Sequence, residues 1–389
     1  IDIDSTDVES WTEKITLLRL QSNFSEAASD IEKAQKLFEK SLNKQLLILR
    51  QKVLFYVDLS DYDKAINECN EILKTTEEKY EDAWLYQLVC LRKKADFKEF
   101  DNVFKRAKRK LSNNSRILLQ EGYSYYDRRQ FDKALEVFNR IFNVDSSNED
   151  DEDAIKGFLA SLRNNFSYDG AHKFIDNLPE DLRHSVWIQH EKIHLFLEQG
   201  EYEIALKECE EILKDINSSS DEQTWVLKII SLRLQNRFDQ AKQAVDQARL
   251  KPTLTQSTPV LNQLGYLYLT WYKYEDAIHI FKEVLEIHRA NEDAWEGQII
   301  ALRELFSLSS KDVESRVSEK DIEDCIQEAL KFLPNNPTIL QQRGWFYSTN
   351  CLDYDKAVKE FETAISAHSL DEQAWKGKIR ALQKQYRFK

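Results

Sequence analysis

Phe131-Asp132-Lys133-Ala134-Leu135-Glu136-Val137-Phe138 (FDKALEVF) sets an aromatic residue, an alanine three places on and a large apolar residue four beyond that. The same column recurs down nearly the whole chain: Phe24/Ala27, Tyr62/Ala65, Tyr168/Ala171, Tyr202/Ala205, Phe238/Ala241, Tyr274/Ala277 and Tyr354/Ala357. Phe97/Phe100 fills the same slot, and Glu319/Ile322 is a weaker link. The small positions lie 34 to 38 residues apart except across one insertion, and self-similarity at such a period marks a repeat array. Apolar residues recur at three- and four-residue spacing on both sides of a short polar turn just before the aromatic, so each unit predicts two helices joined as a hairpin. Alanine lets the two backbones come close, while the aromatic and the later large residue (Phe104, Phe138, Phe281, Phe361) fill the space beside it.

A second period overlies the first. Trp11, Trp84, Ile155, Trp225, Trp295 and Trp375 stand 73, 71, 70, 70 and 80 residues apart. Hairpins therefore alternate between a Trp type and a type with Gly122, Gly265 or Gly344 in its first helix. The Trp-type helices open on acids (Glu81-Asp82, Glu152-Asp153, Asp221-Glu222, Glu292-Asp293, Asp371-Glu372). Acids suit the positive end of the helix dipole and its unpaired amides, which predicts caps rather than ligands.

These residues resemble the tetratricopeptide repeat (TPR). The resemblance implies an all-α, right-handed α-α superhelical solenoid of helix hairpins running as one continuous domain over 1–389. The units fall at about 8–45, 46–80, 81–114, 115–151, 152–185, 186–221, 222–257, 258–291, 292–336 and 337–371, with a partial eleventh at 372–389. Residues 305–320 (LFSLSSKDVESRVSEK) read as an insertion between the two helices of the ninth unit, and polar insertions of this kind are thermodynamically tolerated. Proline at a unit junction, common in the family, appears clearly at Pro334 and more loosely at Pro252 and Pro179. An array is finished by a polar capping helix; the last unit stops half-way and the chain opens on Ile1, so the expectation is a piece of a longer polypeptide.

Composition fits a soluble scaffold of this kind. Charged residues make up 32% of the chain, eight Gly and five Pro leave little room for loops, and no segment approaches the apolar length of a bilayer span. Cys69, Cys90, Cys209, Cys325 and Cys351 are odd in number, widely spaced and mostly on apolar helix faces, which favours buried free thiols in a reducing compartment, the cytoplasm by default. A net charge of −13 disfavours nucleic acid, whose binding is driven by clustered Lys and Arg. The one basic run, Lys105 to Lys110 (KRAKRK), reads as a solvated helix face, and the acidic stretch Asp145 to Asp153 (DSSNEDDED) as a linker between units.

One string looks catalytic. His190-Glu191-Lys192-Ile193-His194 matches H-E-x-x-H, which on a helix sets two imidazoles on one face for zinc and a glutamate to activate water. Its neighbours supply no marked third ligand, and the string falls in register within a repeat whose counterparts lack it. The expectation is therefore no catalytic residue, no metal and no cofactor. No glycine-rich phosphate loop, G-x-S-x-G elbow or Cys-His signature accompanies it.

The resemblance assigns the first helices to a concave groove where peptides or partner helices lie. Arg19, Arg92, Arg163, Arg233 and Arg303 each follow a Leu at the same place in the Trp-type first helix. The intervening units put Tyr123, His194, Tyr266 and Trp345 on the same expected face, and the last helix adds Lys376 and Arg380. Arginine forks and amphipathic aromatics anchor interfaces, so this column predicts a grip on an elongated acidic or phosphorylated segment. Asp58, Asp127 and Glu198 near the ends of neighbouring first helices permit ion pairs within the array instead, and the two readings are not exclusive. Chaperone-binding members hold a C-terminal Asp with paired Lys and Asn; the inner positions here, Thr12/Thr16, Arg50/Leu54, Leu85/Val89, Leu119/Tyr123 and Asn262/Tyr266, show no such clamp. The reading is a non-catalytic protein-interaction scaffold binding a protein or peptide in its groove. The alternatives are the sensor portion of a larger signalling protein such as a STAND-type NTPase, a chaperone adaptor, and a zinc hydrolase through His190 and His194.

Overall fold

The computed structural model describes residues 7–21, 23–112, 114–142, 149–215, 218–309, 317–368 and 371–387, which form 22 helices and, among the described residues, no strand. The helices follow the hairpin order expected from the repeat. They are α1 (Val8–Leu20) and α2 (Phe24–Leu37), α3 (Leu42–Asp58) and α4 (Tyr62–Thr75), α5 (Glu81–Lys93) and α6 (Phe97–Lys110), α7 (Ser115–Asp127) and α8 (Phe131–Phe142). Next come α9 (Glu149–Asn164), α10 (Tyr168–Asp176) and the single turn α11 (Glu180–Arg183), then α12 (Val186–Glu198) and α13 (Tyr202–Lys214), α14 (Glu222–Leu234) and α15 (Phe238–Arg249). The rest are α16 (Thr258–Thr270) and α17 (Tyr274–Ile287), α18 (Glu292–Ser309) and α19 (Glu319–Phe332), α20 (Pro337–Thr349) and α21 (Tyr354–Ala367), and α22 (Glu372–Arg387). Two compact units result: Ile1–Ala154 with Gln327–Lys389, and Ile155–Ile326.

In the first unit, Trp84, Phe100 and Phe104 close over Ala65 and Cys69; Ile15, Ala27, Ile48 and Phe55 form a second cluster, and Phe361, Ala357 and Ala364 a third. In the second, Ala205 and Cys209 of α13 pack against Ile193 of α12 and Leu227 of α14. Every alanine of the repeating column is fully shielded from solvent, and Phe100 and Ile322 in the two substituted slots are buried as well. The glycines of the first helices have a specific cause. A methyl built on Gly265 would lie 2.5 Å from the Phe281 ring, and one on Gly297 in the next first helix 2.2 Å from it, so a single phenylalanine is clamped between two first helices that can offer it only glycine. Three tryptophans of the other type, Trp84, Trp225 and Trp295, are pinned by a polar bond as well as by burial. The indole N–H of Trp84 donates to the Glu78 carbonyl (3.0 Å), that of Trp225 to Ser219 (3.0 Å) and that of Trp295 to Arg289 (2.7 Å).

Among the described residues, eight hairpins turn through a residue in the left-handed region: Ser60, Ala95, Arg129, Phe166, Asn236, Tyr272 and Leu352, with glycine at Gly200. The following N–H reaches back into the first helix, as Asp61 to Tyr56 (2.9 Å) and Lys273 to Tyr268 (2.9 Å), which closes the helix end and fixes the reversal.

The element boundaries differ from the sequence reading at four places. α3 begins at Leu42, inside the stretch expected to end the first unit, because Leu46 and Ile48 already face the core. α11 adds a turn after Pro179. The apolar Leu305-Phe306 and Leu308 carry α18 on to Ser309, and α19 starts at Glu319, so both helices extend into 305–320; residues 310–316 of that insertion lie outside the described residues. Among the expected caps, Asp221 accepts from the Thr224 amide (2.7 Å) and Asp371 from Gln373 (2.9 Å) and Ala374 (3.0 Å). Glu81 and Asp82 instead pair with Arg116 (3.0 and 3.3 Å), and Asp82 also with Arg50 (3.4 Å), since Tyr80 occupies the cap position of α5.

All five cysteines are free and four are buried; burial raises the thiols of Cys69, Cys90 and Cys209, the last two to about 12. In the basic run, Arg106 and Lys110 both pair with Glu78 (2.5 and 3.3 Å), while 145–148 of the acidic stretch lie outside the described residues. Among the described residues no helix is long and apolar enough to cross a membrane.

Candidate functional site

Consecutive first helices lie side by side within each unit, as α1 with α3, α5 with α7, and α12, α14, α16 and α18 in series. A long side chain near the end of one first helix therefore meets the next across a single seam. That is where the structure places the arginine column. The Nε of Arg19 donates to Asp58 (2.6 Å) and its Nη1 to the Gln51 amide oxygen (2.8 Å). Arg92 pairs with Asp127 (2.9 Å) and donates to Gln120 (3.2 Å). Arg163 pairs with Glu198 (3.3 Å) and donates to Glu191 (2.6 Å). These three rungs share one geometry, an acid at the end of the next first helix and an amide or second acid seven residues earlier. The arginines are 10, 13 and 16% exposed, so each charge sits where desolvation is costly unless it is paired.

The fourth rung is built differently. Arg233 on α14 faces α16, where Gln263 and Thr270 hold the positions of Gln120 and Asp127. The Thr270 hydroxyl donates to the backbone carbonyls of Tyr266 (2.8 Å) and Leu267 (2.9 Å). Among the described residues no carboxylate pairs with Arg233; its Nε is buried without a hydrogen-bond partner, as are the Nε atoms of Arg92 and Arg163 and the Oε1 of Gln263. Burial holds the Arg233 guanidinium below its usual value. Burial does the same to Arg92, where Asp127 opposes it, and pushes Arg303 down to about 10.

The aromatic column lies against these arginines. The guanidinium of Arg92 sits 5.0 Å over the Tyr123 ring, Tyr266 neighbours Arg233, and Arg380 stacks 5.7 Å over Trp345. Tyr123 and Tyr266 each donate a hydroxyl to a first-turn carbonyl of the next first helix, Asp153 (3.0 Å) and Asp293 (3.2 Å). Lys376 pairs with Glu372 one turn before it (2.7 Å). Three other positions read as groove-lining, Leu85, Leu119 and Asn262, are buried, because the seam between first helices closes over them.

Both histidines of the H-E-x-x-H string turn toward the start of α14, and its glutamate toward Arg163. His190 Nε2 lies 2.8 Å from the Thr224 hydroxyl and 3.0 Å from Asp221, His194 lies 3.5 Å from the Gln223 amide, and Glu191 accepts from Arg163. Glu191 stands at the register of Gln120, and His194 at that of Tyr123. The string is thus two positions of the column met in one helix. Burial lowers both imidazoles below their ordinary value. Among the described residues no three His, Cys, Asp or Glu side chains form a group able to hold a metal. Sequence reading overlooked Gln51, Gln120, Gln263 and Thr270; the signal was their fixed seven-residue offset, Gln51 to Asp58, Gln120 to Asp127 and Gln263 to Thr270.

The hairpin, its shielded alanine column and the side-by-side first helices define a helical-repeat protein of the tetratricopeptide type. Residues 258–291, the hairpin of α16 and α17, match the family model described as tetratricopeptide repeat. Curated sequences offer no significant match. Similar solved structures include a tetratricopeptide repeat protein from Parabacteroides merdae ATCC 43184, 14% identical, with 69% of this chain and 98% of that one covered and a TM-score of 0.46. Another is yeast Tom70, 12% identical, with 98 and 96% covered and a TM-score of 0.44. A third is the APC/C hetero-tetramer Cut9-Hcn1, 13% identical, with 99 and 84% covered and a TM-score of 0.36. At these values the likeness extends to no activity or partner.

Proposed function

We propose that this chain is a non-catalytic recognition scaffold that binds a peptide or protein segment along the face formed by its first helices. The observation that supports this most is the packing of arginine against an aromatic residue of a neighbouring first helix, Arg92 on Tyr123 and Arg380 on Trp345, with Tyr266 at the matching place near Arg233. Such pairs hold a charged fork and a flat amphipathic ring in place before a ligand arrives, which lowers the ordering cost of binding. Glu191, the one residue a zinc-hydrolase reading needs as base, is held by Arg163.

The reading is tested by capture from a native extract on the immobilised chain, with mass-spectrometric identification, beside an Arg233→Ala/Tyr266→Ala variant whose helicity and melting are measured. A protein held by the parent and lost by the folded variant is the expected result. Equal retention of that protein by both forms removes this face from binding, and metal-dependent peptidase activity lost in Glu191→Gln overturns the non-catalytic assignment.

A further inference from the structure

Two irregularities of the repeat meet in α6. Phe100 stands in the slot that Ala65 and Ala134 fill in the hairpins before and after it, and Lys105 to Lys110 is the basic run of the chain. Alanine lets two backbones close, and a phenyl ring in its place forbids that approach. Phe100 is buried, and beside it a cavity of about 420 Å3 opens between α6 and α7, its wall including Phe104, Lys105, Lys108, Tyr125 and Arg128. Small-molecule sites span about 300–1,000 Å3. The acids on the wall are already paired: Asp101 accepts from both Nη groups of Arg128 (3.1 and 2.5 Å), and Glu121 accepts from Arg140 (3.1 Å). Within the basic run, Arg106 and Lys110 turn to Glu78. Lys105 and Lys108 border the cavity and, among the described residues, pair with no acid. The Lys108 ammonium lies 5.4 Å over the Phe104 ring, and Tyr125 is approached by Arg128 (5.7 Å) and Lys133 (5.6 Å). Two uncompensated positive charges thus adjoin aromatic walls in a chain whose net charge is −13. An inorganic anion meets only the lysines and a neutral ring only the walls. An anionic group carried on a planar ring meets both.

We propose that the cavity between α6 and α7 binds a small planar organic anion, with its phosphate or carboxylate on Lys105 and Lys108 and its ring against Phe104 and Tyr125. Charge-assisted hydrogen bonds from the two ammonium groups hold the anion, and contact with the aromatic rings orients its planar part. The site is separate from the arginine column. Helix α7 turns Gln120 and Asp127 to Arg92, and Glu121, Tyr125 and Arg128 to the cavity, so the two lie on different faces of one helix. The inference therefore stands independently of the scaffold reading.

The test uses the full chain and four probes at low ionic strength: phenyl phosphate, benzoate, inorganic phosphate and benzyl alcohol. Isothermal titration calorimetry reads binding to the parent, to Lys105→Gln/Lys108→Gln, and to Lys98→Gln, which removes an exposed charge of α6 outside the cavity. Phenyl phosphate or benzoate is expected to bind the parent about tenfold or more tighter than inorganic phosphate or benzyl alcohol, the scale of one charge-assisted hydrogen bond. A tighter phenyl phosphate assigns a phosphate ligand, and a tighter benzoate a carboxylate. The double variant is expected to keep the parent's melting temperature, since neither lysine holds an ion pair, and to lose the aryl anion; Lys98→Gln keeps it. Equal binding of inorganic phosphate and the aryl anions overturns the site, as does a parent that binds neither aryl anion. Binding retained by the double variant, or lost to the same degree in Lys98→Gln, overturns it as well, because the effect then belongs to no particular lysine.

Discussion

His190 and His194 show how a single residue position in this array acquires its chemistry from its neighbours. Both imidazoles are held below their ordinary value, first by burial; Asp221 and Glu191 pull His190 the other way, and Arg163 works with burial on His194. The fold therefore favours the neutral rings. As pH falls through the unfolded-state value of about 6.5, the unfolded chain takes up protons that the folded chain refuses, so stability declines until the lower folded-state values are passed. The urea midpoint of the chain is expected to drop between about pH 7.5 and 5.5, with a shallower drop in His190→Gln/His194→Gln. Equal slopes in the two proteins would mean that the decline comes from other groups. The same residues show why a five-residue motif misleads in a repeat protein: His194 and Glu191 stand where other units have Tyr123 and Gln120, so the spacing of the motif follows from the repeat.

At the scale of the element, the small-large pairs of the sequence become contacts between helices. Phe281 of α17 lies against Gly265 of its own hairpin and Gly297 of the next, and Phe361 is held the same way by Gly344 and Gly377. Overfilling such a contact forces a ring or a backbone to move, so Gly297→Ala is expected to cost about 1–3 kcal/mol. The cost should shrink in a Phe281→Leu background, where the ring atoms that meet the new methyl are gone; a double-mutant cycle by chemical denaturation measures this, and additivity would show that the two sites do not touch. The hairpins themselves were legible from the sequence, because alanine, aromatic and turn all lie within one unit. Some ends were not. The start of α3 at Leu42 depends on Leu46 and Ile48 finding cover in neighbouring helices, which local propensity does not report, and α18 runs on to Ser309 with Leu308 exposed.

For the whole molecule, stability in an array comes from each hairpin and its immediate neighbours. The same Gly297→Ala substitution is therefore expected to speed amide hydrogen exchange in α16, α17 and α18 while α12 and α13 of that unit keep their protection. Uniform acceleration across the unit would mean that it opens as one cooperative body. The sequence alone determined the helical class, the hairpin period, the shielded alanines and the register of the arginine and aromatic columns, since each follows from residues a few turns apart and from repetition. It also marked Asp58, Asp127 and Glu198 as acids within reach. Only the tertiary structure decided that Arg19, Arg92 and Arg163 are closed by those acids and a further amide or carboxylate, that Leu85, Leu119 and Asn262 are covered, and that among the described residues no carboxylate pairs with Arg233. The physical reason is that pairing and burial are settled across the seam between two first helices some thirty residues apart in the chain, where the distance between side chains is set by how the backbones pack.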